Sequence, residues 1–149
     1  MDFSVIIVNY NTKKLTEEAI KSVYNFSKSE DFEIILVDNS SQDGSQKYLK
    51  DKFPKINLIE NKKNLGFAAA NNQGIKIARG KYIFLLNSDA YFIENSLEKI
   101  KNSTEKLPNM GILGPMVLNR DKTIQQSVGF FPTLIKIFFW ITFIDDLPL

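Results

Sequence analysis

The chain has no cysteine and no histidine among its 149 residues. Without cysteine there is no disulfide framework, no thiolate nucleophile and no sulfur ligand for zinc. Without histidine there is no imidazole general base and no imidazole metal ligand. Any chemistry must therefore use carboxylates, amides, hydroxyls, lysine or arginine. A metal would be held by oxygen atoms, which favours magnesium or manganese over zinc. A large excess of either charge is also missing: 19 Lys plus Arg stand against 17 Asp plus Glu, a formal +2. That balance gives no argument for a nucleic-acid partner. No apolar run has the length of a transmembrane span. The opening "MDFSVIIVNYN" starts acidic and has too short an apolar run for a signal peptide. These absences lead to the expectation of a folded, cytoplasmic chain with one substantial core. Peripheral association with the inner face of the membrane is left open by them.

What the chain does have is a set of apolar runs with helical patterns between them. "FSVIIV" (3–8) and "FEIILV" (32–37) are near-continuous and β-branched, and "INLI" (56–59) and "YIFLL" (82–86) are shorter versions. Strands buried on both faces of a parallel sheet read this way. Between the first two, Leu15, Ala19, Val23 and Phe26 recur at helical spacing with Ile20 beside them, and Thr12 is placed to cap. "SSQDGSQKYLKDKF" opens with turn residues and continues as a short helix. Phe67, Ala70, Gly74 and Ala78 share a third stripe, with Gly74 tolerable in mid-helix if something packs closely there. Ile93, Leu97, Ile100 and Leu107 predict a further helix ended by Pro108, and "MGILGPMVL" an extended, interrupted element. The alternation predicts an α/β fold with an open, mostly parallel, doubly wound sheet.

In such a sheet ligands bind outside the carboxyl ends of the strands. There the chain gathers Asn9, Tyr10 and Asn11; Asp38, Asn39 and Ser40; Glu60 and Asn61; and Asn87, Ser88 and Asp89. Asn, Ser and Asp are ordinary turn formers, so each group also reads as a turn, and Asp38 and Asp89 as caps. Tyr10 fits a packing residue equally well, and Asn71 a helix-surface residue. Neither of two common phosphate loops is present: "NYNTKK" after the first run has no glycine. A bound nucleotide would need its phosphates neutralised in another way, and a divalent cation on Asp89 is the natural means.

"SVIIVNYN", "EIILVDNSSQDGS", "NLGFAAANNQGIKIARGKYIFLLNSDA" and "MGILGPMVL", in that order, resemble the nucleotide-sugar-binding half of a family 2 glycosyltransferase of GT-A fold. The resemblance runs to about residue 130 and leans to the rhamnosyltransferase-like branch, whose members often carry N-x-D where relatives have D-x-D. It implies that Asn9 and Tyr10 line the nucleotide and that Asp38 accepts a hydrogen bond from a pyrimidine base. Asn71 stands where many relatives place a nucleotide-holding arginine. Asn87 and Ser88 would border the sugar or ribose, and Asp89 would ligate magnesium or manganese at the diphosphate. The implied reaction is transfer of a sugar from dTDP-rhamnose or a UDP-sugar to a glycan or lipid-linked acceptor, with inversion.

Inversion requires a general base to take the acceptor's proton. The family places it well beyond the metal carboxylate, and the late pair Asp145 and Asp146 comes too soon after Asp89 to match. No catalytic base is therefore assigned. Residues 1–130 are expected to form the nucleotide-sugar domain. Residues 131–149, aromatic and aliphatic with few charges, read as the start of an acceptor-binding half. Their unpartnered apolar surface would favour homo-oligomers. Two other readings stand beside transfer: a non-catalytic nucleotide-sugar-binding subunit that needs a partner chain, and a nucleotidyltransferase, for which a basic, Gly-rich phosphate segment is missing.

Overall fold

β-branched and aromatic residues crowd into Phe3–Asn9, and this segment becomes β1, one of two strands with neighbours on both edges. The computed structural model describes residues 1–107, 109–126 and 133. The chain divides into two units, Met1–Met110 and Gly111–Leu149. In the first, β1 is followed by α1 (Lys13–Phe26), β2 (Phe32–Asp38), α2 (Ser45–Lys52), β3 (Asn57–Glu60), α3 (Phe67–Ile77), β4 (Tyr82–Asn87) and α4 (Ser96–Lys106). All strand pairs are parallel, in the order β3-β2-β1-β4. The expected open α/β sheet is the observed one.

Strand alternation divides the core into two layers. Phe3, Val5 and Ile7 of β1 and Ile34 and Leu36 of β2 pack with Ala19, Ile20 and Val23 of α1, Leu49 of α2 and Leu97 of α4. On the opposite face, Ile6, Ile35 and Val37 pack with Ala70 of α3. The sheet is thus wound on both sides.

Two glycines allow close approach. A Cβ on Gly74 would sit 2.6 Å from the Ile6 side chain, so α3 rests directly on β1, the tight packing that justifies a mid-helix glycine. A Cβ on Gly80 would lie 2.4 Å from backbone atoms of Phe3 and Ser4. Backbone cannot rotate aside as a side chain can. Gly80→Ala is expected to cost about 2 kcal/mol of stability by overpacking, read as a lowered urea midpoint. Gly74→Ala, which meets a side chain and gains helix propensity, should cost less.

Several expectations need correction. The buried face of α1 is Thr16, Ala19, Ile20, Ser22 and Val23, whereas Leu15 and Phe26 are exposed. Apolar periodicity misses Thr16 and Ser22 because tertiary partners satisfy their hydroxyls: Thr16 donates to Asn9 and Ser22 accepts from the Phe92 N–H. Thr12 does not cap α1 with its side chain. Its hydroxyl turns back to Asn9 Oδ1 (2.8 Å), and the Lys13 N–H is capped instead by Asp43 Oδ2 (3.0 Å). β4 is an edge strand, with Ile83 and Leu85 exposed, rather than buried on both faces. Ile93 precedes α4 and is exposed, as is Leu107, and Asn95 caps that helix through the Glu98 N–H.

In the second unit Leu118, the last residue of "MGILGPMVL", forms an antiparallel bridge with Ile124, closed by the Asn119 N–H on the Thr123 carbonyl (2.8 Å). Pro108, Asp145, Asp146 and the apolar segment from 131 on, Thr133 apart, lie outside the described residues. Among the described residues, no helix is long and apolar enough to cross a membrane.

Candidate functional site

Parallel pairing brings the polar strand ends to one edge. Asn9 is level with Asp38, Asp38 with Glu60, and Val8 with Asn87. A cavity of about 540 Å³ opens there, lined on the β1 and β4 side by Tyr10, Asn87, Ser88 and Asp89. Asn39, Asn64, Gly66 and Phe67 line the other side.

Asn9, Asp38 and Asn71 do not line it. Asn9 and Asp38, at the ends of β1 and β2, are fully buried. The Asn9 amide donates to Asp38 Oδ2 (2.6 Å) and Ser41 Oγ (3.0 Å), while its oxygen accepts from Thr12 and Thr16 (2.8 Å each). Both donors and both lone pairs are thereby used. Asp38 Oδ1 accepts from the Ser41 N–H (2.9 Å) and Gln46 Nε2 (2.8 Å). The network fixes the loop leaving β2, where Ser40 (φ 72°) and, across from it, Asn11 (φ 56°) hold left-handed backbone. Such strained residues persist where neighbours over-determine them. Asn71 is 5% exposed, and its amide donates to the Phe67 carbonyl one turn back (3.0 Å). These side chains are held by the fold because each finds its partners inside the protein.

Asp43 stabilises the same loop. Burial opposes its ionisation, but hydrogen bonds from the Ser45 hydroxyl and from the Lys13 and Ser45 N–H groups, with the Lys13 charge, hold its carboxyl below the usual range. Its second oxygen caps α2 locally through Ser45, so one carboxylate joins two helix starts.

Asn39 is the residue that sequence reasoning left without a role. Its amide donates to Asn64 Oδ1 (2.8 Å) and the Gly66 carbonyl (3.3 Å). Its oxygen accepts from Asn61 Nδ2 (3.0 Å) and the Leu65 N–H (3.1 Å). One side chain thus clamps the 61–66 loop onto the end of β2, and "NKKN" is anchored at both asparagines. Asn39→Ala is expected to cost about 1 kcal/mol and to speed hydrogen exchange at the Leu65 amide by about tenfold or more. Unchanged exchange at Leu65 would show the clamp to be dispensable.

Asp89 differs from these buried residues. It is exposed, is the one charged residue on the cavity wall, and has no hydrogen-bond partner among the described residues. No cluster of three or more acidic, histidine or cysteine residues suited to a metal occurs among the described residues. One carboxylate beside the Asn87 and Ser88 oxygens still fits a hard cation of the magnesium type, which takes one or two carboxylates and completes its shell from phosphate and water. Among the described residues, the chemistry of the wall is therefore two aromatic rings, neutral amides, a hydroxyl and one carboxylate.

The sequence pattern of glycosyl transferase family 2 matches residues 4–145. The chain belongs to that family. It is 36% identical over 111 residues to the poly(ribitol-phosphate) beta-glucosyltransferase of Bacillus spizizenii, covering 71% of this chain and 18% of that one. The fold matches Staphylococcus aureus TarS 1–349 in complex with UDP-GlcNAc, with TM-score 0.62, 26% identity, and 78% of this chain against 38% of that one. It also matches mannosyltransferase PcManGT from Pyrobaculum calidifontis in complex with GDP-Man and Mn2+, with TM-score 0.61, 25% identity, and 72% of this chain against 32% of that one. The matched stretch spans 12% to 34% of the length of the first curated relatives, so this family 2 chain corresponds to a minor part of each. The GT-A-like α/β architecture is common to it and TarS.

Proposed function

We propose that this chain binds the donor of a glycosyl transfer, a nucleoside diphosphate sugar, at the carboxyl edge of its sheet, in the service of inverting sugar transfer to a glycan or lipid-linked acceptor. The observation that carries this reading is Asp89: an exposed carboxylate, unpaired among the described residues, just beyond β4 on the wall of a cavity that Tyr10 also lines. Tyr10 offers a ring for the base. Asn87 and Ser88 offer hydrogen bonds to ribose or sugar hydroxyls. Asn9 and Asp38 act from beneath by holding the loops still, so they orient rather than touch. Asp89, with Asn87 and Ser88, would hold magnesium or manganese. A divalent cation, when bound, offsets the charge that develops on the departing diphosphate.

Two donors are supported by different observations. Asn87 in the N-x-D form favours dTDP-rhamnose, the donor of the rhamnosyltransferase-like branch. The UDP-GlcNAc complex of TarS favours a UDP-sugar. A second reading, donor binding without turnover, is favoured by the lining itself: among the described residues, no second carboxylate is on the cavity wall to serve as base.

Calorimetric titration with UDP and with dTDP, in manganese or magnesium and then in EDTA, tests the proposal. Binding that requires the metal is expected, and the tighter nucleotide identifies the donor class. Absence of binding by either nucleotide in every condition would overturn it.

A further inference from the structure

Phe67 has the position of a core residue and the exposure of a surface one. It shares a helical face with Ala70 and Gly74. Ala70 is fully buried with Ile6, Ile35 and Val37, and Gly74 rests on Ile6. Phe67 nonetheless leaves 58% of its surface open. The reason is where the strands stop. Val37 is next to last in β2, and Phe67 lies about 4.5 Å along the helix axis beyond Ala70, at 1.5 Å per residue. At that height the sheet has ended, and the ring lines the same cavity as Tyr10, itself 48% exposed.

The backbone beneath this ring is fixed by its conformation and by two hydrogen bonds. Gly66 has φ 82° and ψ 163°, a conformation that glycine alone adopts readily. The Asn39 amide grips the Gly66 carbonyl, and the Asn71 amide grips the Phe67 carbonyl (3.0 Å). An exposed phenylalanine at the first helical position adds nothing to helix propensity over alanine and leaves apolar surface in water. Its rigid mounting makes sense as preorganisation for a flat, apolar ligand group.

Resting on the donor-binding reading above, we propose that Phe67 is a donor-binding residue that forms the base end of the cavity together with Tyr10, its ring stacking on the nucleobase. The cavity then has an aromatic half, Tyr10 and Phe67, and a polar, acidic half, Asn87 to Asp89. A nucleoside diphosphate has the same division, a flat base at one end and phosphates needing a cation at the other.

The test is titration of the full chain and its Phe67 variants with UDP and dTDP in manganese. Phe67→Leu keeps apolar bulk without the ring and is expected to weaken binding about tenfold, within the range of base–aromatic stacking, with an unchanged thermal midpoint. Phe67→Trp is expected to restore affinity, and its emission, above that of Trp140, to be quenched as nucleotide is added. Wild-type affinity in Phe67→Leu, or loss of affinity in both Leu and Trp variants, would overturn the role of the ring and leave donor binding standing. A wild-type chain that binds neither nucleotide would overturn both.

Discussion

Asp89→Ala is expected to lower metal-dependent nucleotide affinity by at least about 100-fold while leaving the thermal midpoint unchanged. The two halves of this expectation have one cause. The carboxylate is exposed and has no partner among the described residues, so the fold loses nothing with it. Yet among the described residues it is the sole charge on the cavity wall. A hard cation with a single protein carboxylate has no substitute nearby, and loss even of supporting groups around a metal costs 10–100-fold. Calorimetry in manganese, repeated in EDTA, measures the effect. Asp89→Asn should recover little, because an amide keeps the oxygen and loses the charge. If Asp89→Ala binds as wild type does in manganese, Asp89 is not the metal carboxylate.

Glu33→Ala should have the opposite profile, a large loss of stability of about 3 kcal/mol. Glu33 is the second residue of β2, at the amino end of the sheet, and its side chain is 5% exposed. Oε1 accepts from the Ser4 hydroxyl and the Arg79 N–H (2.8 Å each). Oε2 accepts from Arg79 Nη2 (2.7 Å) and Asn57 Nδ2 (2.8 Å). The Ser4 hydroxyl in turn accepts from the Gly80 N–H (2.8 Å). One carboxylate therefore joins β1, β2, β3 and the turn from α3 to β4. Its removal leaves several donors without an acceptor, each costing about 1–3 kcal/mol where buried. Arg79 is 66% exposed, so Arg79→Ala should cost far less. Urea unfolding separates the two, and equal midpoints for Glu33→Ala and wild type would contradict the account.

The same carboxyl sets a pH dependence. Burial raises its pKa, but the side-chain and backbone hydrogen bonds from Arg79, the Ser4 hydroxyl and the Arg79 charge outweigh this and hold it below the ordinary 4.5. A group whose pKa falls on folding stabilises the fold above its unfolded pKa, and that contribution is lost as pH falls through the folded value. Glu17 has the same sign: hydrogen bonds from Lys21, Tyr48 and Lys52 push it down to about 2. Stability should be level from neutral pH to about 5 and decline below 4.5. In Glu33→Gln the decline should be shallower.

The sequence by itself determined the elements and their order. The four apolar runs became β1 to β4 with boundaries within a residue or two, since continuous β-branched runs have few other ways to be buried. It also determined which end of the sheet holds the polar groups, because parallel strands bring all their carboxyl ends to one edge. Tertiary structure alone decided which of those groups face the cavity. Asn9 and Asp38 read from sequence as ligand-facing and are buried because each side chain finds its partners in a neighbouring loop. Asn39 clamps residues more than twenty positions away, a relation that no local pattern encodes. Phe67 fits the buried stripe in periodicity and still lies open, because a helical period fixes the direction of a side chain and not whether a strand lies beneath it.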